Sequence, residues 1–324
     1  MLFAVAILAA AGAGEVGAQA HSTSSGQAYP NKPVRIIVPN ATSGLADICA
    51  RLVATKLGES LGQPFLVDNR PGAGGTIGTA AAVKSAADGY TLLAVFDSHA
   101  TNAFLFKNLP YDTLADLAPV SLLARGPLVL VVRTGLNAAS VEEFVKLAKA
   151  RPGAINFATV GPGSPARLLM ELLKSEAGID VTMVAYKGAG LALGDLIGGQ
   201  VDAIFATAPS VSGHLKAGRV RALAVTSARR SALLPGVPAM SESYPGFVSE
   251  AWVGLLAPAK TPPAVVARLN SEVARILELP DTQARFAELG LETAPGSPEE
   301  LDRWIRAEME RWSRIIRERG ITLE

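Results

Sequence analysis

The stretch from Val34 to Leu61, VRIIVPNATSGLADICARLVATKLGESL, does most to limit how this chain can fold. A β-branched run passes through a small-residue loop into helical spacing, read here as a helix opened by Asp47. Where a strand hands over to a helix, several backbone N–H groups are left unpaired at one spot, and the helix dipole adds about half a positive charge there. Such a spot attracts anions. Thr42, Ser43 and Gly44 carry little or no bulk, so a small carboxylate has room to approach the backbone, with the two hydroxyls as further donors.

The pattern recurs along the chain. Phe65–Val67 and Tyr90–Val95 read as strands, separated by the glycine cluster Gly72–Gly78 and an Ala-rich helix running to about Ala87. Strands alternating with helices predict a parallel sheet covered on both faces. The loop Asp97–Asn102 then falls at the C-terminal end of a strand, where open α/β sheets bind ligands. Leu117–Val132 reads as strand with a break at Gly126-Pro127, the first expected crossover between two lobes. Ser140 and Glu143 form an S-x-x-E capping box for a helix over Val141–Ala150. After the strand Ile155–Thr159 comes Gly161-Pro162-Gly163-Ser164-Pro165, with Ser164 as N-cap and Pro165 at the first helical position. Two such helix ends facing one another would clamp a dicarboxylate.

Further strands are expected at Val181–Tyr186, Val201–Phe205, Ala222–Thr226 and Trp252–Leu256, with helix at Ala192–Ile197, a loop at Ala206–Pro209 and a second crossover near residue 250. From Thr261 the chain reads as helical. Ser297-Pro298-Glu299-Glu300 caps a last helix in which Leu301, Trp304, Ile305, Met309, Trp312, Ile315 and Ile316 share one face, the pattern of core packing.

At 324 residues two domains of ordinary size are expected. A net charge of +1 with 18% charged residues gives no field for nucleic acid, and no Lys/Arg stripe is interleaved with aromatics. Residues 1–20 are apolar and Ala-rich and close on Ala18-Gln19-Ala20, which predicts a signal peptide cleaved near Ala20, although no Lys or Arg precedes the apolar run. That run is shorter than the roughly 20 residues of a spanning helix, so an exported, soluble mature protein is expected. The single cysteine, Cys49, shares a helical stripe with Leu52, Val53 and Leu57, which places it in the interior without a disulfide or a catalytic role.

Catalytic signatures are weak. Gly161–Ala166 fits G-x-G-x-x-A between strand and helix, so an NAD(P)-dependent oxidoreductase is the alternative reading. Against it, Pro162 removes an N–H from the turn, and Tyr186-Lys187 stands where an acidic ribose ligand belongs. Gly72–Gly78 lacks the Lys-Ser/Thr ending of a P-loop, and tight turning beside a packed helix explains it. There is no G-x-S-x-G and no His/Cys/carboxylate cluster at metal spacing, so no catalytic residue, cofactor or metal is expected. His99 attracts attention only through its strand-end position, and His214 is assigned no role.

The runs YPNKPVRIIVP, DNRPGAGGTIGTAAAVKSAADGYTLL, LPYD, APVSLLA, YKGAGLALGDLIGGQVDAIF and RALAVTSARRSALLPGVP resemble the Bug family of periplasmic solute receptors, related to the receptors of tripartite tricarboxylate transporters. The likeness spans Tyr29–Ile321. It implies an α/β, type II periplasmic binding protein fold, with lobe 1 formed by 29–126 and 251–324 and lobe 2 by 127–250. It also implies a non-enzymatic, monomeric receptor for a small carboxylate, serving the membrane subunits of a transporter or a signalling partner. Carried over by position, the ligand loops are Asn40–Asp47, Ser98–Asn102, Thr159–Ser164, Tyr186–Gly190 and Ala206. The residues expected at the ligand are therefore Thr42, Ser43, Gly44 and Asp47; Ser98, His99 and Asn102; Thr159, Gly161, Gly163 and Ser164; Tyr186, Gly188 and Ala189; and Ala206. Two departures bear on specificity: the first loop lacks the family's aromatic-Pro-Gly pattern, and Ala206 stands where an Asp often holds a ligand amine.

Overall fold

The β-branched runs become strands and the segments between them become helices that cover both faces. A computed structural model describes residues 29–321 apart from Pro162, Leu233 and Arg319, so the expected signal peptide lies outside the described residues. In chain order the first part contains β1 (Val34–Val38), α1 (Leu45–Leu61), β2 (Phe65–Asn69), α2 (Thr76–Val83), β3 (Thr91–Phe96) and α3 (Ser98–Leu105). A long strand follows, β4 (Leu117–Arg133), then α4 (Val141–Ala150), β5 (Asn156–Val160), α5 (Pro165–Ala177), β6 (Thr182–Tyr186) and α6 (Ala189–Gly198). Next are β7 (Ala203–Thr207), α7 (Ala208–Lys216), β8 (Val220–Val225), α8 (Met240–Ser243) and β9 (Glu250–Pro258). The chain closes with α9 (Pro263–Leu277), α10 (Pro280–Glu288), β10 (Glu292–Thr293) and α11 (Pro298–Glu318).

Strand polarity decides where the loops meet. β1 pairs in parallel with β2 and β3, while β9 runs antiparallel between β3 and β4. β4 stays continuous through Gly126-Pro127 instead of breaking, and changes partners there: Leu117–Pro127 pairs with β9, and Leu128–Arg133 with β7 and β8. Pro127 has no N–H to contribute and sits where one ladder ends and the next begins. β5 is parallel to β6 and β7, and β7 is antiparallel to β4. Hence the C-terminal ends of β1–β3 and those of β5–β8 both point at the middle of β4. The two sets of strand-end loops face each other as a consequence of register alone.

Four apolar clusters cover the faces of these two half-sheets. Cys49, Val53, Leu57, Leu269, Val273 and Phe286 pack on one face of the first, and Trp252, Leu301 and Ile305 on the other. Phe157, Phe205, Leu168 and Phe247 pack on one face of the second, and Leu193, Ile204 and Val211 on the other. The stripe of α11 serves both halves: Leu301 and Ile305 join the first, Trp312 and Ile316 the second. Between them the stripe turns polar. There the buried Glu308 accepts from Trp312 Nε1 at 3.1 Å and from Arg311 at 2.9 Å. Arg311 also donates to the carbonyl of Val248 at 2.7 Å, beside the start of β9. Nearby, the buried Thr226 hydroxyl donates to Ser249 O at 2.5 Å and accepts from Leu128 N–H at 2.9 Å, tying together the segments that pass between the halves.

Local signals place most elements, and the Ser140/Glu143 and Ser297/Glu300 caps form, with Glu143 reaching back to Ala139 N–H. Several boundaries move. α1 starts at Leu45 with Gly44 as N-cap, α2 stops at Val83, and α6 starts at Ala189 because Gly188 adopts the extended N-cap geometry. β7 runs through Thr207, so Ala206 belongs to a strand rather than a loop. The largest change is at Asp97–Asn102, expected as a loop, where the structure forms the helix Ser98–Leu105. Thr101 and Asn102 are weak helix formers, and the turn is held by packing against α11 and the glycine loops.

Candidate functional site

The first loop is organised by a carboxylate. Asp47 is almost fully buried, and its oxygens accept from Ser43 N–H at 2.8 Å, Arg51 Nε at 2.9 Å and Asn69 Nδ2 at 2.9 Å. Burial alone would raise its pKa, but the hydrogen bonds from Arg51, Ser43 and Asn69 hold it below the usual carboxylate value. Its bond to Ser43 holds that residue at φ 65°, a left-handed conformation costing a non-glycine residue about 1 kcal/mol. Asp47 thus shapes the loop from the third helical position instead of opening the helix. Thr42 and Ser43 stay exposed, and Ile48 N–H is bonded to Gly44 O at 3.0 Å. The N–H groups of Leu45, Ala46 and Asp47 precede it, in positions without a carbonyl to reach inside the helix.

The helix α3 lies where both sets of loops converge. Ser98 Oγ at 3.3 Å and Asn102 Nδ2 at 3.0 Å donate to the carbonyl of Gly74, fixing the turn Ala73–Gly75 between β2 and α2. That turn needs its glycines, since Gly72, Ala73, Gly74 and Gly75 all have positive φ. Across the boundary, Thr101 Oγ1 donates to Gly163 O at 2.9 Å. A Cβ at Gly163 would lie 3.1 Å from Asn102 Oδ1 and 3.1 Å from Leu105 Cδ1, so the second loop is pressed against α3. His99 is buried, and burial pushes its pKa down to about 4 against the opposing effect of the Thr113 backbone. Asp97, the residue before α3, is pushed up to about 8 by burial and then by the neighbouring Glu308.

In the second set of loops, Gly161 has φ +79° and Ser164 caps α5, its Oγ accepting from Arg167 N–H at 3.4 Å. Pro165 supplies no N–H. This helix end is therefore already capped, and at Gly163 it is pressed against α3. Thr159 is buried near the end of β5, and Tyr186 donates to Asp195 Oδ2 at 2.7 Å, a bond that pushes its phenol up to about 12. Gly188 and Ala189 start α6, whose N-terminus has no side-chain cap and is open to solvent.

The structure brings together Ser98, Asn102 and Gly163 around α3, and puts Thr42, Ser43, Gly44 and Ala189 at exposed or partly exposed helix starts. Other candidates are engaged in contacts within the protein. Asp47 and Ser164 bond within their own loops, Tyr186 is tied to α6, His99 faces the interior, and Ala206 packs in the core against α6 and α7. The Gly72–Gly75 turn is the tight turn beside a helix expected of the glycine cluster, whereas the Arg51–Asp47–Asn69 set was not expected, and only the helical i, i+4 spacing of Asp47 and Arg51 gave a hint. Among the described residues no group of His, Cys, Asp and Glu is placed to hold a metal, and no helix is long and apolar enough to cross a membrane.

Two half-sheets joined by crossing strands, with their strand-end loops opposed, define a type II periplasmic binding protein, and solved periplasmic binding proteins share this fold. Residues 49–321 match the profile of the family described as tripartite tricarboxylate transporter family receptor, and the chain belongs to that family. It is similar to Protein BugT of Bordetella pertussis, with 41% identity over 303 residues and 93% of each chain covered. Among solved structures it is similar to Rhodopseudomonas palustris Rpa4515 with adipate, at 35% identity and TM-score 0.87, covering 90% of this chain and 99% of that one. It is also similar to MatC from the same organism with bound malate, at 33% identity and TM-score 0.82, covering 89% of this chain and 100% of that one.

Proposed function

We propose that this protein is a non-enzymatic periplasmic receptor that captures a small dicarboxylate between its two lobes and presents it to the membrane subunits of a tripartite transporter. The observation that carries this reading is the opposition of the two loop sets across β4, joined to family membership and to relatives holding adipate and malate. The lobes divide at Gly126-Pro127 and near Glu250, with α11 packed on both. The uncapped starts of α1 and α6, one from each lobe, supply N–H groups and dipole charge for two carboxylates, with Thr42, Ser43, Gly188 and Ala189 beside them. The engaged hydroxyl of Ser164 favours α6 over α5 as the second anchor. Micromolar affinity corresponds to about 8 kcal/mol, and charge-assisted hydrogen bonds of about 1.5–3 kcal/mol each reach that without an arginine in the site. Export through a signal peptide cleaved near Ala20 completes the reading.

A thermal-shift series with malonate, succinate, malate, glutarate and adipate, set against acetate and the amide succinamide, tests the proposal. At 100 times Kd a bound ligand adds about 2.7 kcal/mol, which raises Tm by several degrees. At least one dicarboxylate is expected to do so while succinamide does not. A folded protein whose Tm no carboxylate moves would overturn the reading.

A further inference from the structure

Thr101 lies inside a stretch assigned to ligand contact, yet its side chain is wholly buried and points to another part of the protein. Its one proton has two acceptors in range. The carbonyl of Ser98, a turn back at 3.1 Å, is the partner a threonine in a helix commonly finds. The carbonyl of Gly163, at 2.9 Å, is 62 residues away and belongs to the opposite half-sheet. Around this bond the surfaces touch closely enough that a Cβ on Gly163 would stand 3.1 Å from both Asn102 Oδ1 and Leu105 Cδ1. A second contact of the same kind lies near the crossover. There a Cβ on Gly290 would come 2.7 Å from Ala208 Cβ, so the turn before β10 rests on the start of α7. Glycine at both places lets one lobe settle on the other.

We infer that Thr101 is a positioning residue for ligand capture, its bond to the Gly163 carbonyl acting as a latch that holds the lobes closed over the ligand. Asn102 works in the opposite direction. Its Oδ1 is buried at the same contact without a partner, and opening the lobes gives that oxygen back to water. Latch and release therefore sit on adjacent residues, and the closed population follows their balance. A ligand enters the open form and is retained by the closed one, so losing the latch speeds departure without slowing arrival. The effect on affinity rests on the receptor reading; the latch itself rests on the Thr101–Gly163 bond.

The test compares Thr101→Val, which keeps the shape and loses the hydroxyl, with Thr101→Ser, which keeps the hydroxyl. Small-angle scattering of the ligand-free protein reads lobe closure, and stopped-flow release of adipate reads retention. Thr101→Val is expected to enlarge the radius of gyration and to speed adipate release roughly fivefold, the effect of one neutral hydrogen bond. Thr101→Ser is expected to behave as the unaltered chain in both. Gly163→Ala, which wedges the contact while keeping Thr101, is expected to reproduce the expansion and serves should Thr101→Val not fold. Scattering that is the same for all folded variants, or Thr101→Ser matching Thr101→Val, overturns the latch. If the unaltered protein fails to bind adipate, that counts against adipate as its ligand, and scattering alone decides on the latch.

Discussion

The loop before α1 and the loop before α5 are written in the same way, as a strand, a few small residues and a helix start, yet they end in opposite states. The first is held by Asp47, whose oxygens tie Ser43, Arg51 and Asn69 into a frame and leave Thr42 and Ser43 exposed in front of the helix. The second caps itself with Ser164, has proline where an amide would be, and lies beneath Thr101 and Asn102. The same local design thus yields an end without a side-chain cap in one place and a contact between the half-sheets in the other. What separates them is whether the side chain that organises the loop sits inside the helix or in front of it.

Removing the frame should have the largest effect. Asp47→Ala leaves the half-exposed Arg51 guanidinium, the Asn69 amide and the Ser43 N–H without this acceptor, at a cost of about 2–3 kcal/mol. A urea titration is expected to show that loss together with weakened carboxylate binding, and a loss below about 0.5 kcal/mol would mean that the loop holds its shape unaided.

The helix between the two loops gives an effect of intermediate size through pH. Asp97 keeps its proton up to about pH 8 in the fold but gives it up near 3.8 when unfolded, so it removes stability as pH rises between those values. His99 titrates near 4 in the fold and near 6.5 unfolded, so it removes stability as pH falls through that range. The two slopes oppose each other below about 6.5, and only the Asp97 decline remains from there to 8. In Asp97→Asn the Tm is expected to rise from pH 4 to 6.5 and then stay level, where the unaltered chain declines; at about 1.4 kcal/mol per pH unit the decline that separates them between pH 6.5 and 8 amounts to about 2 kcal/mol. A calorimetric Tm series that declines equally in both would show that Asp97 is ionised in the fold.

Smallest is the effect of Ser164→Ala. Its capping bond is long, 3.4 Å, and the loop keeps its other contacts, so about 0.5–1 kcal/mol is expected with carboxylate binding unchanged. A loss as large as that of Asp47→Ala, or a collapse of binding, would erase the distinction between the two loops.

The elements themselves were legible because their causes are local. The β-branched runs, the Ser140/Glu143 and Ser297/Glu300 boxes, Ser164 with Pro165 and the stripe of α11 each act within a turn or two. The helix Ser98–Leu105 was not, because no local signal opens it and its support comes from Gly74, Gly163 and α11. Likewise nothing in the sequence showed that Ala206 faces the core.

The sequence alone determined the order of strands and helices, the α/β class and the presence of several glycine-rich strand ends, since backbone propensity, capping and hydrophobic period are properties of neighbouring residues. Tertiary structure decided which of those ends stay open and which are closed by contact. That choice depends on hydrogen bonds such as Thr101 to Gly163, whose partners are brought together only when β4 carries the chain from one half-sheet into the other.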